Sequence, residues 1–442
     1  RLRLYVSFLL EKFLILQKIY QLVPIDLKVK MKKLRFLLTT LFLSASLSIS
    51  FGAAFHTGQT SASYTGQGQT GVTFFDNAGL VVQNPAAMTK LNHGMHFYGG
   101  FTRYSTTFSY SDLDGGNSTE TSHPAAVAPQ GYALYNGGDW AVGSGLYLPF
   151  NSGVEWGKTW TGRDVLGKLS LKTLNQPVVG SYSFGDMSVG GGLNFIAASV
   201  RLERIADKST ETPVVIGATG QTTGWNSAFL YDGGNISGGF VYNSAFTISG
   251  TGNANFDTSS APALTDTFAD GGVKADLKYP STLEIAGSYK SFTSGDGYQP
   301  GAFAVEFGIL QSSWSVYDEI VIKFDKKKPS EESKIVNKWK DVMDWKIGGF
   351  YSLSESMKLR GGFYKAASPI EPQYLGPTTP DGNGKNSIFL GFGFKADALL
   401  LDAAYINSTT LPSETSSSPE NGLAGKYSGS ATVLQFGIGY SF

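Results

Sequence analysis

From about residue 95 to Phe442 the chain repeats one pattern: roughly ten residues alternating apolar with small or polar side chains, then a turn or a polar loop. Successive side chains of a strand point to opposite faces, so alternation at period two marks a sheet with two unlike faces. In the last segment Leu434, Phe436, Ile438, Tyr440 and Phe442 share one face, and Gln435, Gly437, Gly439 and Ser441 share the other. Trp140, Val142, Leu146, Leu148 and Phe150 oppose Ala141, Gly143, Gly145 and Tyr147 in the same way. A soluble sandwich hides its greasy face and puts charge on the other. Here the polar face holds glycine and little charge, as expected where the apolar face meets lipid and the small polar face meets a lumen. Lipid satisfies no sheet edge, so such a sheet has to close on itself.

Composition agrees. The 442 residues include 55 Gly, and only 16% are charged, against about 25% in ordinary soluble domains. An aromatic content of 13% argues against disorder. The expected fold is all-β, a transmembrane antiparallel β-barrel. Segments near 95–110, 130–136, 139–150, 168–184, 187–203, 224–232, 235–249, 273–290, 302–312, 315–324, 341–352, 357–366, 386–406 and 430–442 give about fourteen strands, with 386–406 reading as two joined at Asp397. Short links at 353–356 and 396–398 alternate with long polar stretches at 203–224, 250–272, 291–301 and 324–340, which is the barrel habit. In the first strand Met95, Phe97 and Phe101 share one parity while Tyr104, Phe108 and Tyr110 share the other. Either a bulge or a plain strand with aromatics on both faces would produce this.

The first Met is Met31, and Met31-Lys32-Lys33-Leu34-Arg35 leads into an apolar run ending in small residues near Gly52. A basic start, an apolar centre and a small-residue site spell a signal peptide over 31–52, so 1–30 are expected to be an upstream non-native extension. The run Phe36–Phe55 could alternatively span a bilayer, but its Ser and Ala content favours cleavage. Residues 1–52 hold nine basic and two acidic residues, leaving 26 and 33 and a formal charge of −7. That balance argues against nucleic acid as a partner.

Several motifs have plain explanations. Gly66-Gln67-Gly68-Gln69-Thr70-Gly71 spells a dinucleotide fingerprint, but no buried strand precedes it and no helix with a well-spaced acid follows. Asp112-Leu113-Asp114-Gly115-Gly116-Asn117 lacks the Glu and spacing of a calcium loop. The four His, at 56, 93, 96 and 123, show no zinc spacing, and there is no Cys. Neither an enzyme, nor a metal site, nor a cofactor is expected.

Residues 53–94 do not alternate and would suit a plug ahead of a barrel over 95–442. Within them Asn84-Pro85-Ala86 resembles the plug motif of the FadL/TodX family, outer-membrane transporters of long-chain fatty acids and hydrocarbons. Leu148-Pro149-Phe150, Trp160–Arg163, Leu171–Pro177, Ser188–Asn194, Ser313-Trp314-Ser315 and Ala367-Ser368-Pro369 follow in that family's order. The resemblance covers about 53–442. It implies a fourteen-stranded bacterial outer-membrane barrel, blocked by an N-terminal hatch. Loops would capture a hydrophobic small molecule, such as a long-chain fatty acid, an inner pocket would hold it, and a kink in the third strand would release it sideways among outer-membrane lipid. Gly143, Gly145 and Pro149 lie on that strand; the two glycines could equally just make room for the plug. Arg204 falls where the family places a carboxylate-binding Arg, though it could instead pair with Glu203. A family lysine has Val321 in its place, and Lys323, two residues on, shares its parity. Phe55 matches an aromatic of the inner pocket. Terminal Phe442 resembles the signal read by the barrel assembly machinery, and a monomer is expected. The reading from another class is a general porin, or a surface adhesin or receptor displayed by its loops.

Overall fold

The computed structural model describes residues 58–122, 126–326, 331–380, 384–420 and 422–442. The leader, Phe55 and His56 lie outside them. Fourteen antiparallel strands close into a barrel: β1 (Gly94–Ser111), β2 (Ala126–Asn136), β3 (Trp140–Leu146 and Asn151–Glu155), β4 (Lys168–Phe184), β5 (Met187–Asp207), β6 (Thr212–Gly233), β7 (Ile236–Asn243 and Phe246–Phe256), β8 (Gly271–Tyr279 and Thr282–Lys290), β9 (Phe303–Ser312 and Glu319–Phe324), β10 (Glu332–Val336 and Val342–Ser352), β11 (Met357–Ala366), β12 (Lys385–Ala396), β13 (Leu399–Thr410) and β14 (Lys426–Ser441). Each strand pairs with its sequence neighbours, and β1 pairs with β14 from His96↔Ser441 to Ser111↔Lys426. No free edge remains, which is the condition for a sheet in lipid. No helix of the described residues is long and apolar enough to cross a membrane.

The outer face carries the exposed apolar side chains, among them Val142, Val189, Leu193, Ile285, Leu390 and Ile438. Near one rim Trp140, Tyr182, Tyr231, Tyr289, Tyr351 and Tyr440 stand exposed on that face, where amphipathic rings suit a membrane interface. That rim has the tight connections. One is the two-residue link Gly185-Asp186, whose glycine takes φ +70, a conformation without steric cost only for Gly. Another is Asp397-Ala398, joining β12 to β13 where the sequence placed a joint.

Three expectations are corrected. The segments at 302–312 and 315–324 are the two pieces of β9, separated by a single 3-10 turn at Trp314–Val316. With 386–406 split, the total is fourteen. The polar stretch 203–224 is largely not a loop: β5 and β6 run on as a paired ladder to a link at 208–211. Residues 291–302 join β8 to β9 at the rim of short turns, because Tyr289 pairs with Ile236, which begins β7 just after a tight turn. In β1 the register with both neighbours is unbroken, so there is no bulge. Phe101 faces out, whereas Tyr98, Tyr104, Phe108 and Tyr110 are buried inside.

Residues 58–93 run through the lumen. A short helix α1 (Ala62–Gly66), capped by the Ser61 hydroxyl accepting from the Tyr64 N–H at 3.2 Å, packs against β11–β14. A second turn, α2 (Leu80–Gln83), and a 3-10 helix at Pro85–Lys90 pack against the opposite wall, chiefly β4 and β5. Glycine makes these approaches possible. A Cβ on Gly66 would lie 2.7 Å from the Gly391 Cα of β12, and one on Gly68 would lie 2.9 Å from the Gly362 Cα of β11. Gly66 and Gly68 of the dinucleotide-like string are therefore backbone-to-wall contacts, while Gly71 makes room for the ring of Tyr64.

Candidate functional site

On the loop side of the lumen the inward faces of β4 to β10 line a partly open cavity of about 100 Å³. Leu171, Val200, Leu202, Ile216, Ile248 and Ile322 supply much of its wall. Tyr317 and Trp339 come from interruptions in β9 and β10, and Thr378 and Thr379 from the loop after β11. No charged residue among the described ones lines it. Such a space takes apolar surface out of water and offers few polar groups in return.

Arg204 shares the parity of Ala198, Val200 and Leu202 on β5, so it occupies the next inward position toward the loop rim. Its Nη1 donates to the carbonyl of Asp164 at 3.2 Å. It has no ion pair among the described residues, and Glu203 is bonded instead by Arg201, at 2.7 Å. Lys323 is not brought to this place. In β9 the cavity is lined by Ile320 and Ile322, and Lys323, of opposite parity, faces outward, 67% exposed and 3.6 Å from Glu332. Strand periodicity is the reason: Val321 and Lys323 do share a face, but it is the outer one.

The third strand is discontinuous. Its lower half pairs with β4 as Ser144↔Val178 and Tyr147↔Asn175, its upper half as Asn151↔Lys172, a shift of one residue. The shift turns Phe150 inward, correcting the expectation that it shares the outer face of Trp140 and Val142. Pairing between β2 and β3 stops at Gly131↔Leu146, although β2 continues to Ala126. Pro129 lies on the stretch of β2 that pairs with β1 but not with β3, and Pro149 lies within the break in β3. A proline has no N–H to donate to a ladder. Of the two glycines, Gly143 faces the N-terminal segment, where a Cβ would lie 2.5 Å from Val81 Cγ2, and Gly145 lies under the ring of Tyr132.

Phe150 joins an aromatic group drawn from other interrupted strands. Its ring centroid is 4.9 Å from Tyr279, 5.9 Å from Phe246 and 6.2 Å from Trp314. Trp314 touches Trp339 at 5.0 Å and Tyr317 at 6.0 Å, both cavity residues. A continuous aromatic contact thus leads from the cavity wall to the break in β3. The sequence hides this, because the six rings are scattered over nearly two hundred residues.

The N-terminal segment is held by buried polar contacts. Glu306 of β9, fully buried, accepts from the N–H groups of Gly71 (2.7 Å), Val72 (3.2 Å) and Thr73 (2.8 Å) and from the Thr73 hydroxyl. Asp76 meets Lys358 at 3.3 Å and Arg360 at 3.4 Å, both on β11, and Arg360 also binds Asp402 of β13 at 2.8 Å. Burial would raise the Asp76 carboxyl, but the two cations outweigh it and hold it below the usual carboxylate range. Asn84 caps the 3-10 helix, its Oδ1 accepting from the Ala86 N–H at 3.0 Å while its Nδ2 donates to the Val72 carbonyl at 2.6 Å. Pro85 occupies the first helical turn, where its missing N–H costs nothing. The Pro85-Ala86 backbone lies so close to β5 that a Cβ on Gly190 would stand 2.5 Å from the Ala86 nitrogen.

Comparison with known proteins agrees with this architecture. Residues 43–442 match the family model described as outer membrane protein transport protein (OMPP1/FadL/TodX). A long-chain fatty acid transport protein of Salmonella typhi is 23% identical over 392 residues, covering 77% of this chain and 86% of that protein. The fold is that of a Pseudomonas aeruginosa FadL homologue, with TM-score 0.76 and 16% identity over 88% of this chain and 100% of the other. It is also that of the P. putida toluene transporter TodX, with TM-score 0.67 and 16% identity over 86% and 98%. The chain belongs to the FadL/TodX family of outer-membrane transporters of hydrophobic compounds.

Proposed function

We propose that this barrel carries long-chain hydrophobic molecules passively inward, from loop capture, through the aliphatic cavity, to lateral exit where β2 and β3 part. The observation that carries the reading is the cavity itself: partly sheltered, mostly apolar and without charge among the described residues, with one guanidinium, Arg204, at its rim. Transfer of an acyl chain into it is worth roughly 25 cal/mol per Å² of apolar surface removed from water. Arg204 then meets a carboxylate, an interaction that is charge-assisted and often bidentate. On this reading residues 58–93, with Asn84, Pro85 and Ala86 at their centre, act as a hatch, and Gly143 seats them. Gly145 and Pro149 belong to the kinked exit, and Phe55 remains part of the proposed inner pocket on the family resemblance alone.

Uptake of labelled oleate by cells lacking their own fatty-acid transporter, complemented with this chain, tests the reading. Restored uptake that falls about tenfold with Arg204→Ala, the weight of one charge-assisted contact, is expected. The uncharged lining favours a second reading, transport of neutral hydrocarbons. Uptake of hexadecane but not oleate would establish it, and uptake of neither by a folded barrel would leave a surface-binding role.

A further inference from the structure

Below the aromatic group the inward face changes character. Asn175 on β4, Asn194 on β5 and Asn226 on β6 form a side-chain ladder across three strands: Asn194 Oδ1 accepts from Asn175 Nδ2 at 3.4 Å and from Asn226 Nδ2 at 3.2 Å. Asn175 Nδ2 also donates to the Tyr147 hydroxyl at 3.0 Å. Tyr147 is the residue at which β3 loses its register, and its backbone bridges to Asn175. The ladder therefore sits beside the break between β2 and β3. On β5 it lies four residues from Ala198, a cavity residue, or about 13 Å along the strand.

The ladder points its amides inward to Asn194 and leaves acceptors over. Among the described residues Asn175 Oδ1 and Asn226 Oδ1 have no hydrogen-bond partner, nor does the hydroxyl of Tyr132, whose ring lies 6.5 Å from that of Tyr147. Their residues are 3%, 7% and 4% exposed. Leaving such groups unmatched costs roughly 1–3 kcal/mol each, a penalty that apolar residues of similar size at these three positions would avoid. Two free acceptors call for a donor, and a free phenol can give or receive.

We propose that Asn175, Asn226 and Tyr132 form a polar station that binds the hydroxyl-bearing end of a long-chain ligand, an alcohol or a protonated carboxylic acid, at the exit from the cavity. This rests on the transport reading and extends it. An ionised carboxylate offers acceptors only and is matched to Arg204 at the rim; the station, with amide oxygens and no cation, is matched to the neutral form.

The test is binding of 1-hexadecanol and of hexadecane to the purified full-length protein in nanodiscs, comparing the native chain with Asn175→Leu and Asn226→Leu. A loss of about five- to tenfold for the alcohol, with less than twofold for the alkane, is expected from one or two hydrogen bonds. Equal losses for both ligands, or none for either, would overturn the station. Should the leucine variants fail to fold, Tyr132→Phe removes one hydroxyl with the ring retained. It should weaken the alcohol about threefold, and an unchanged alcohol affinity would again overturn the station. If the native chain binds neither ligand, the transport reading falls and takes the station with it. Binding of both without discrimination among the variants removes the station alone.

Discussion

Asp76 is a single carboxylate of the N-terminal segment set against Lys358 and Arg360 of the wall. Removing one member of a buried ionic group typically costs about 3–5 kcal/mol, because the partners stay buried. Asp76→Asn should therefore loosen the segment, seen in planar bilayers as ion conductance above that of the native barrel. The same contact has a pH signature. Because the folded pKa lies below the unfolded value of about 3.9, the contribution is complete above about pH 4 and is lost as pH falls through the depressed folded value. The part of the conductance controlled by this contact should rise only once the pH falls below the unfolded carboxylate value of about 3.9. Gly190→Val should act by sterics, driving a side chain into the Pro85-Ala86 backbone, at about 1–3 kcal/mol of overpacking. A lowered midpoint of heat-induced mobility change on gels would record it. At this scale the sequence was uneven: the parity of Arg204 was readable from its strand, while Lys323 was misjudged because neither residue type nor spacing says which face of β9 looks inward. The asparagine ladder was missed. Its signal was present, polar amides at inward positions of otherwise apolar strands, but period two alone does not bring three strands into register.

Strands were the most legible level, because alternation over ten residues has one cheap explanation in lipid. Where the reading slipped, the ladder is irregular. The interruption of β9 at Trp314–Val316 looked like a turn between strands, and β5 and β6 looked like a loop because their outer faces turn polar beyond the apolar band. Pro149 of β3 was singled out in the sequence, but Pro129 on β2 was not, since its role depends on which strand lies beside it. Restoring the missing donors should let pairing run further. In Pro129→Val with Pro149→Ala, amide exchange in 126–130 should slow, and uptake of a hydrophobic ligand should fall about threefold or more if exit passes between these strands. Slowed exchange with unchanged uptake would place the exit elsewhere.

For the whole molecule, closure, outer-membrane residence and family follow from the strand pattern and the motif order, while the interior does not, because the lumen is assembled from residues far apart in sequence. Deletion of residues 58–93 should leave a barrel that still shows heat-modifiable migration yet conducts ions strongly and steadily, as an unobstructed lumen would. The proportions of the wall carry a different lesson. β5 and β6 have 21 and 22 residues, about 70 Å of strand, whereas an apolar band of this kind is about 25 Å tall. Even strongly tilted, they stand well clear of the bilayer, and the greasy cavity draws part of its wall from their outer reaches. For an oily solute the hydrocarbon of a membrane is no obstacle; the hydrated headgroup layer above it is. A raised turret with its dry chamber above the lipid is suited to crossing that wet layer, which makes the height of the barrel, rather than its bore, the dimension tied to its task.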